Sequence, residues 1–174
     1  YVAINLLEAP LLAFLLAFII RFENDPLTRG YTYRYNDNMP AYILICVLVA
    51  LFMGLTVSAE EIIKDRKIQR RESFLNLSRH SYLFSKLIIL FTLSAVQTLS
   101  FVIIGNAILE IKSMNMMYWF VLFTVSCFAN ILGLNISATF NSVVTIYITI
   151  PLLLIPQMIL SGVIFNFDKL NQLV

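Results

Sequence analysis

Glu60–Ser81 reads EEIIKDRKIQRRESFLNLSRHS and holds six of the chain's twelve basic residues: Lys64, Arg66, Lys67, Arg70, Arg71 and Arg79. It stands between two apolar runs, Pro40–Ala59 and Tyr82–Leu109. Each is as long as the about 20 residues a helix needs to cross hydrocarbon. Lys and Arg accumulate in cytoplasmic loops, so this segment is expected in the cytoplasm. Working outward, three further runs reach spanning length: Val2–Ile20, Met116–Phe140 and Val143–Phe165. The fold class that follows is an all-α membrane protein, a polytopic bundle with five transmembrane helices. Of the other connections, 21–39 holds Arg21, Arg29 and Arg34, offset by Glu23, Asp25 and Asp37, while Glu110–Asn115 holds only Lys112, Asn141–Ser142 none, and the tail only Lys169. The N-terminus is then inside, the loops at 21–39 and 110–115 are outside, and the last span ends outside. Tyr31, Tyr33, Tyr35 and Tyr42 near the first outer loop fit an interfacial aromatic belt.

Composition agrees. Of 174 residues, 60% are apolar and 13% charged, with a mean hydropathy of +0.86. Soluble domains carry roughly 25% charged residues, so this chain has too little polar side chain to cover a water-facing surface. Cys46 and Cys127 both fall in apolar runs and read as buried thiols, without metal spacing or a disulfide framework. Tyr1 opens directly into an apolar stretch with no basic region before it, unlike a signal peptide. The sequence is expected to belong to something longer.

The basic segment is itself expected to be helical over about 59–77. Ser58 and Glu61 have capping-box spacing, and Glu60 precedes Lys64 by four residues in the favourable order. At 100° per residue Ile62, Ile63, Phe74 and Leu77 share one arc, with Ile68 and Leu75 outside it. Such a helix lies against anionic lipid or against a protein partner, and the acids Glu60, Glu61 and Glu72 leave both open.

Catalytic chemistry is hard to place. The five glycines form neither GxxxxGK[ST] nor GxGxxG. His80 is the single histidine and has no companion ligands for a metal. No proton relay of Asp, Glu or His runs through a span. Glu8 interrupts the first run just before Pro10, and it is expected at the inner interface, as is Lys86. The polar groups at membrane depth are neutral: Gln97, Asn106, Asn130, Asn135 and Gln157, residues that usually bond between helices. Ala129, Gly133 and Ser137 repeat at four-residue spacing and predict a close helix crossing. Pro151 and Pro156, with Gln157 between helix turns, predict a kinked fifth span beside a cavity.

Three stretches carry a resemblance: AEEIIKDRKIQRRE from Ala59 with LSRHSYLFSK ending at Lys86, NLLEAP at Asn5–Pro10, and IPQMILSGVIFN at Ile155–Asn166. In that order the chain resembles the permease domain of ABC exporters of the G (White/pleiotropic drug resistance) type, within the ABC-2 permease superfamily. The resemblance implies one partial transmembrane domain over residues 1–174, with a sixth span expected beyond. It implies an ATP-driven exporter of an apolar or amphipathic solute in a bacterial inner or plasma membrane. A nucleotide-binding ATPase domain, fused or separate and carrying ATP and Mg, would be its partner, with a second permease copy and membrane lipid; no nucleic acid is expected. Carried over by position, Glu60, Asp65, Lys67, Arg71 and Glu72 would couple to that ATPase. Val49, Ala50, Met53, Ile155 and Met158 would line the substrate cavity, and Val163 and Ile164 the outer gate. No catalytic residue, metal or cofactor is implied within this chain. A non-catalytic membrane anchor of a larger complex is the rival reading; an intramembrane lipid enzyme is disfavoured for want of a cluster of acid, His and nucleophile.

Overall fold

The computed structural model describes residues 2–22, 31–72, 79–161 and 163. Among them the elements are α1 (Val2–Ile20), α2 (Met39–Ser58), α3 (Glu61–Glu72), α4 (Arg79–Ile108), α5 (Asn115–Thr139) and α6 (Val143–Ile159), with a 3-10 turn at Tyr33–Tyr35 before α2. The chain is an all-α polytopic protein. Four helices are long and apolar enough to cross a membrane; α6, at 17 residues, is shorter. The fifth apolar run is expected to reach Phe165, and its residues 162 and 164–165 lie outside the described ones.

Starts and stops follow local chemistry. Pro40 sits in the first turn of α2, where a missing N–H costs nothing. Between α4 and α5 the chain reverses through Glu110 and Ser113, both left-handed at φ 54° and 68°. Pro10 behaves otherwise than expected: α1 runs through it unbroken. Residues on both sides of Pro10, from Asn5 to Ala17, pack or bond against neighbours, and such contacts let a membrane helix carry an interior proline.

Packing is closest where side chains are smallest. In lipid no water is released between apolar helices, so dispersion and hydrogen bonds hold them together. The seam between α2 and α5 is the most extensive. Gly54 lies against Ser126 and Ala129, and Gly133 lies against Leu55 and Ser58. A Cβ built on Gly54 would stand 2.7 Å from the Ala129 Cβ and 2.8 Å from the Ser126 carbonyl. The four-residue repeat of Ala129, Gly133 and Ser137 forms this crossing as expected, all three being buried. Helix α1 presents Ala9, Ala13 and Ala17 inward, in one cluster with Cys46, Phe101 and Val102. Helix α6 buries Ile146, Ile150 and Leu154 against Leu55, Ala59 and Ala129.

Buried amides tie the bundle. Asn130 Nδ2 donates to Ser94 Oγ at 2.7 Å and Ser126 Oγ donates to the same oxygen at 3.0 Å. Gln97 Nε2 reaches the Asn5 carbonyl at 2.9 Å, and Asn106 Nδ2 reaches Asn115 Oδ1 at 2.8 Å. Three of the five expected polar groups therefore bond between elements. Asn135 instead bonds back to Ile131 within α5, and Gln157 is exposed on α6.

One member of the expected aromatic belt is displaced. Tyr42 is 2% exposed, its hydroxyl seated at Gly105, where an added Cβ would come within 2.4 Å. The missing side chain opens the slot. Tyr35 stays exposed.

Candidate functional site

The charged helix α3 is held against the ends of three other helices, and each tie has a local cause. The expected capping box does not form. Ser58 is still inside α2 and turns its hydroxyl back to the Gly54 carbonyl at 2.7 Å. Ser137, near the end of α5, caps α3 instead. Its Oγ accepts from the backbone N–H groups of Ile62 and Ile63 at 3.2 and 3.1 Å. The first N–H groups of any helix lack intrahelical partners; here another helix supplies one.

Arg66 completes the exchange in the opposite direction. Its guanidinium donates to the carbonyls of Ser137 and Ala138 at 3.1 and 2.6 Å and to the Asn141 carboxamide. Those carbonyls are at the C-terminal end of α5, where a helix has unpaired acceptors and a partial negative charge. A cation with a planar fork fits that end well.

The third tie is to α4. At about 1.5 Å per residue, 30 residues make α4 about 45 Å long, well beyond a hydrocarbon core of about 30 Å. Its first turns thus reach α3. Lys86 Nζ lies 2.6 Å from Glu61 and 2.9 Å from Asp65, and Tyr82 Oη donates to Asp65 at 2.8 Å. Glu61 and Asp65 are four residues apart, so both face Lys86. The spanning part of α2 ends at Ser58, and beyond it Glu60 pairs with Lys64 as its spacing predicts and accepts from Tyr147 Oη on α6. Lys64 and Tyr147 hold the Glu60 carboxyl below the usual carboxylate range, against slight burial. At Asp65, burial opposes ionisation, but Lys86 and Tyr82 outweigh it and hold this carboxyl low as well. The clamp is built of charged species.

Of the expected coupling residues, Glu60 and Asp65 are thus engaged with the bundle itself. Arg71 is exposed farther along α3, as is Ile68, which the periodicity placed off the apolar arc. Lys67 and Glu72 are on the described helix, but their side chains lie outside the described residues, as do Phe74 and Leu77. Sequence reasoning assigned no such contacts to Glu61, Arg66, Tyr82, Ser137 or Tyr147. The signal available for Glu61 was its i,i+4 spacing to Asp65; Arg66 and Ser137 have none, since their partners are 71 to 75 residues away.

The expected cavity residues fall into two groups. Val49, Ala50 and Met53 line an internal cavity of about 10 Å³ between α2, α4 and α5, with Cys46, Gln97, Thr98, Phe101, Leu122 and Ser126. That is room for about one water. Ile155 and Met158 are instead exposed on α6, 52% and 36%, and do not border that cavity. Pro151, Pro156 and Gln157 are exposed there too. Val163 is exposed and Ile164 lies outside the described residues. No group of three or more metal-ligating side chains occurs among the described residues.

The sequence model of the ABC-2 type transporter family matches residues 1–174, the whole chain. No curated protein and no solved structure matches it. The chain belongs to the ABC-2 type transporter family.

Proposed function

We propose, from this membership, that the chain is the membrane-spanning permease part of an ATP-driven exporter of the G (White/pleiotropic drug resistance) type. ABC-2 membrane domains generally pair with ATPase domains. The ATPase here would dock on the cytoplasmic side of α3, and a second permease copy would face the exposed side of α6. Residues 1–174 lie in its transmembrane domain, with the N-terminus and 60–81 in the cytoplasm of a bacterial inner or plasma membrane. The substrate is apolar or amphipathic.

One observation carries this reading. The first half of α3 is pinned to α4 and α5 by Glu61, Asp65 and Arg66, and Glu60, just before it, is held to α6, while Arg71 is exposed. A push on the exposed end is transmitted to three spanning helices at once, because the pinned end cannot slide alone. A docking surface for a passive anchor needs no such rigid link.

The test is Arg71→Glu in the full-length transporter, reconstituted in vesicles. Substrate-stimulated ATPase activity should fall about tenfold, equivalent to about 1.4 kcal/mol of coupling, with normal expression. Unchanged stimulation would overturn the assignment of α3 as the coupling element.

A further inference from the structure

Glu8 is expected from the sequence at the inner interface; the helical rise measured from the charged ends of the bundle argues for a deeper position. The outer boundary is marked by Arg21, at the end of α1, whose guanidinium lies 2.6 Å from Glu110. The inner boundary is marked by Lys86 and its two carboxylates. Along α4 these levels are about 36 Å apart at 1.5 Å per residue. By the same rise Glu8 is about 20 Å below Arg21. Asn5, one turn earlier, meets Gln97, itself about 16 Å above Lys86. Both measures put Glu8 in the central third of the bilayer.

The setting of this carboxyl is unusual. Ala9, Ala13 and Ala17 form the buried stripe of α1, while Leu7, Leu11 and Leu15 face outward. Asn5, Glu8 and Leu12 follow the edge between those faces, each partly exposed. Among the described residues Glu8 makes no hydrogen bond or ion pair. The adjacent Asn5 Nδ2 is buried and also lacks an acceptor. Ionisable side chains at this depth are rare and mark pathways or ligand sites. A carboxylate in hydrocarbon needs a cation.

We infer that Glu8 is a mid-membrane site for the amine headgroup of an amphiphile that the transporter moves, an inference that rests on the permease reading. The ammonium pairs with the Glu8 carboxylate, which stands on the partly exposed edge of α1. The alkyl chain lies along Leu7, Leu11 and Leu15. Partial exposure fits a site entered sideways from the lipid, and the central depth fits a resting point for a charged headgroup in transit.

The experiment uses the full-length transporter with its ATPase in phosphatidylcholine vesicles. A long-chain primary alkylamine should stimulate ATPase activity saturably, and an alkanol of equal length should not. In Glu8→Gln the half-maximal amine concentration should rise about tenfold, the loss of one ion pair of about 1.4 kcal/mol; Glu8→Asp should fall between. On the native protein, a hydrophobic carbodiimide should label Glu8, and the amine, not the alkanol, should slow that labelling. Vesicles containing phosphatidylethanolamine separate the sources: if they stimulate by themselves and protect Glu8, the cargo is a membrane lipid, and if only the free amine does, it is a dissolved amphiphile. Native-like amine response in Glu8→Gln together with unprotected labelling would overturn the site. So would loss of assembled transporter in both Glu8 variants without protection of the native carboxyl, which would mark Glu8 as a packing contact to another segment. Should the native transporter in the same vesicles show no ATPase activity that any amphiphile stimulates and move none of them, the permease reading fails instead, so the two failures are told apart.

Discussion

Replacing Gly54 by Ala adds one methyl group to the α2–α5 seam, and its cost can be worked from the geometry. The new Cβ would sit 2.7 Å from the Ala129 Cβ and 2.8 Å from the Ser126 carbonyl oxygen. Carbon atoms attract best at about 3.5–4.0 Å, so the shortfall is about 1 Å. Neither obstacle can rotate away, since one is a rigid methyl and the other is backbone. The helices must part, and a gap of about 0.5–1 Å forfeits a quarter to a half of the attraction across it. Overpacking of this kind costs about 2–3 kcal/mol, and the better helix propensity of Ala returns up to about 1 kcal/mol. The net loss is about 1–2 kcal/mol, or roughly 5–30-fold in the folding equilibrium. The assay is reversible unfolding of the purified protein by sodium dodecyl sulfate in mixed micelles, followed by circular dichroism. Gly54→Ala/Ala129→Gly should recover only part of the loss, because the Ser126 carbonyl stays in the way. A midpoint at or above the native one in Gly54→Ala would refute the close crossing. The consequence reaches α3: Gly133 and Ser137 lie on the same seam, so parting it also loosens the bonds to Ile62 and Ile63.

Two further outcomes follow from the ties already described. Arg66→Lys keeps the charge but loses the fork that spans Asn141 and two carbonyls; it should cost about 1–2 kcal/mol and raise hydrogen exchange in α3, and unaltered exchange would show that Arg66 does not hold that helix. Ser94→Ala removes the oxygen shared by Asn130 and Ser126, and at about 0.6 kcal/mol per intramembrane hydrogen bond it should cost about 1 kcal/mol in the same unfolding assay.

How much was legible in the sequence depended on how local each cause was. Hydrophobic length and the Lys and Arg count are one-dimensional quantities, so the order of spans and the charged helix between α2 and α4 could be read directly. The Glu60–Lys64 pair and the Ala129–Gly133–Ser137 repeat needed only helical periodicity, and both are present. The Ser58 cap failed because spacing cannot tell whether a helix has already ended. Tyr42 was misplaced because its pocket is made by Gly105, on a different helix.

The sequence by itself determined that this chain is a bundle of apolar helices with one strongly basic segment between them, since hydrophobic length and charge are read directly along the chain. Only the tertiary structure decided what the charges of that segment do. Lys86, Arg66 and Ser137 acquire partners through the packing of α3 against α4 and α5, and the α1–α4 register sets Asn5 level with Gln97. Both depend on contacts between residues far apart in sequence, which no local pattern encodes.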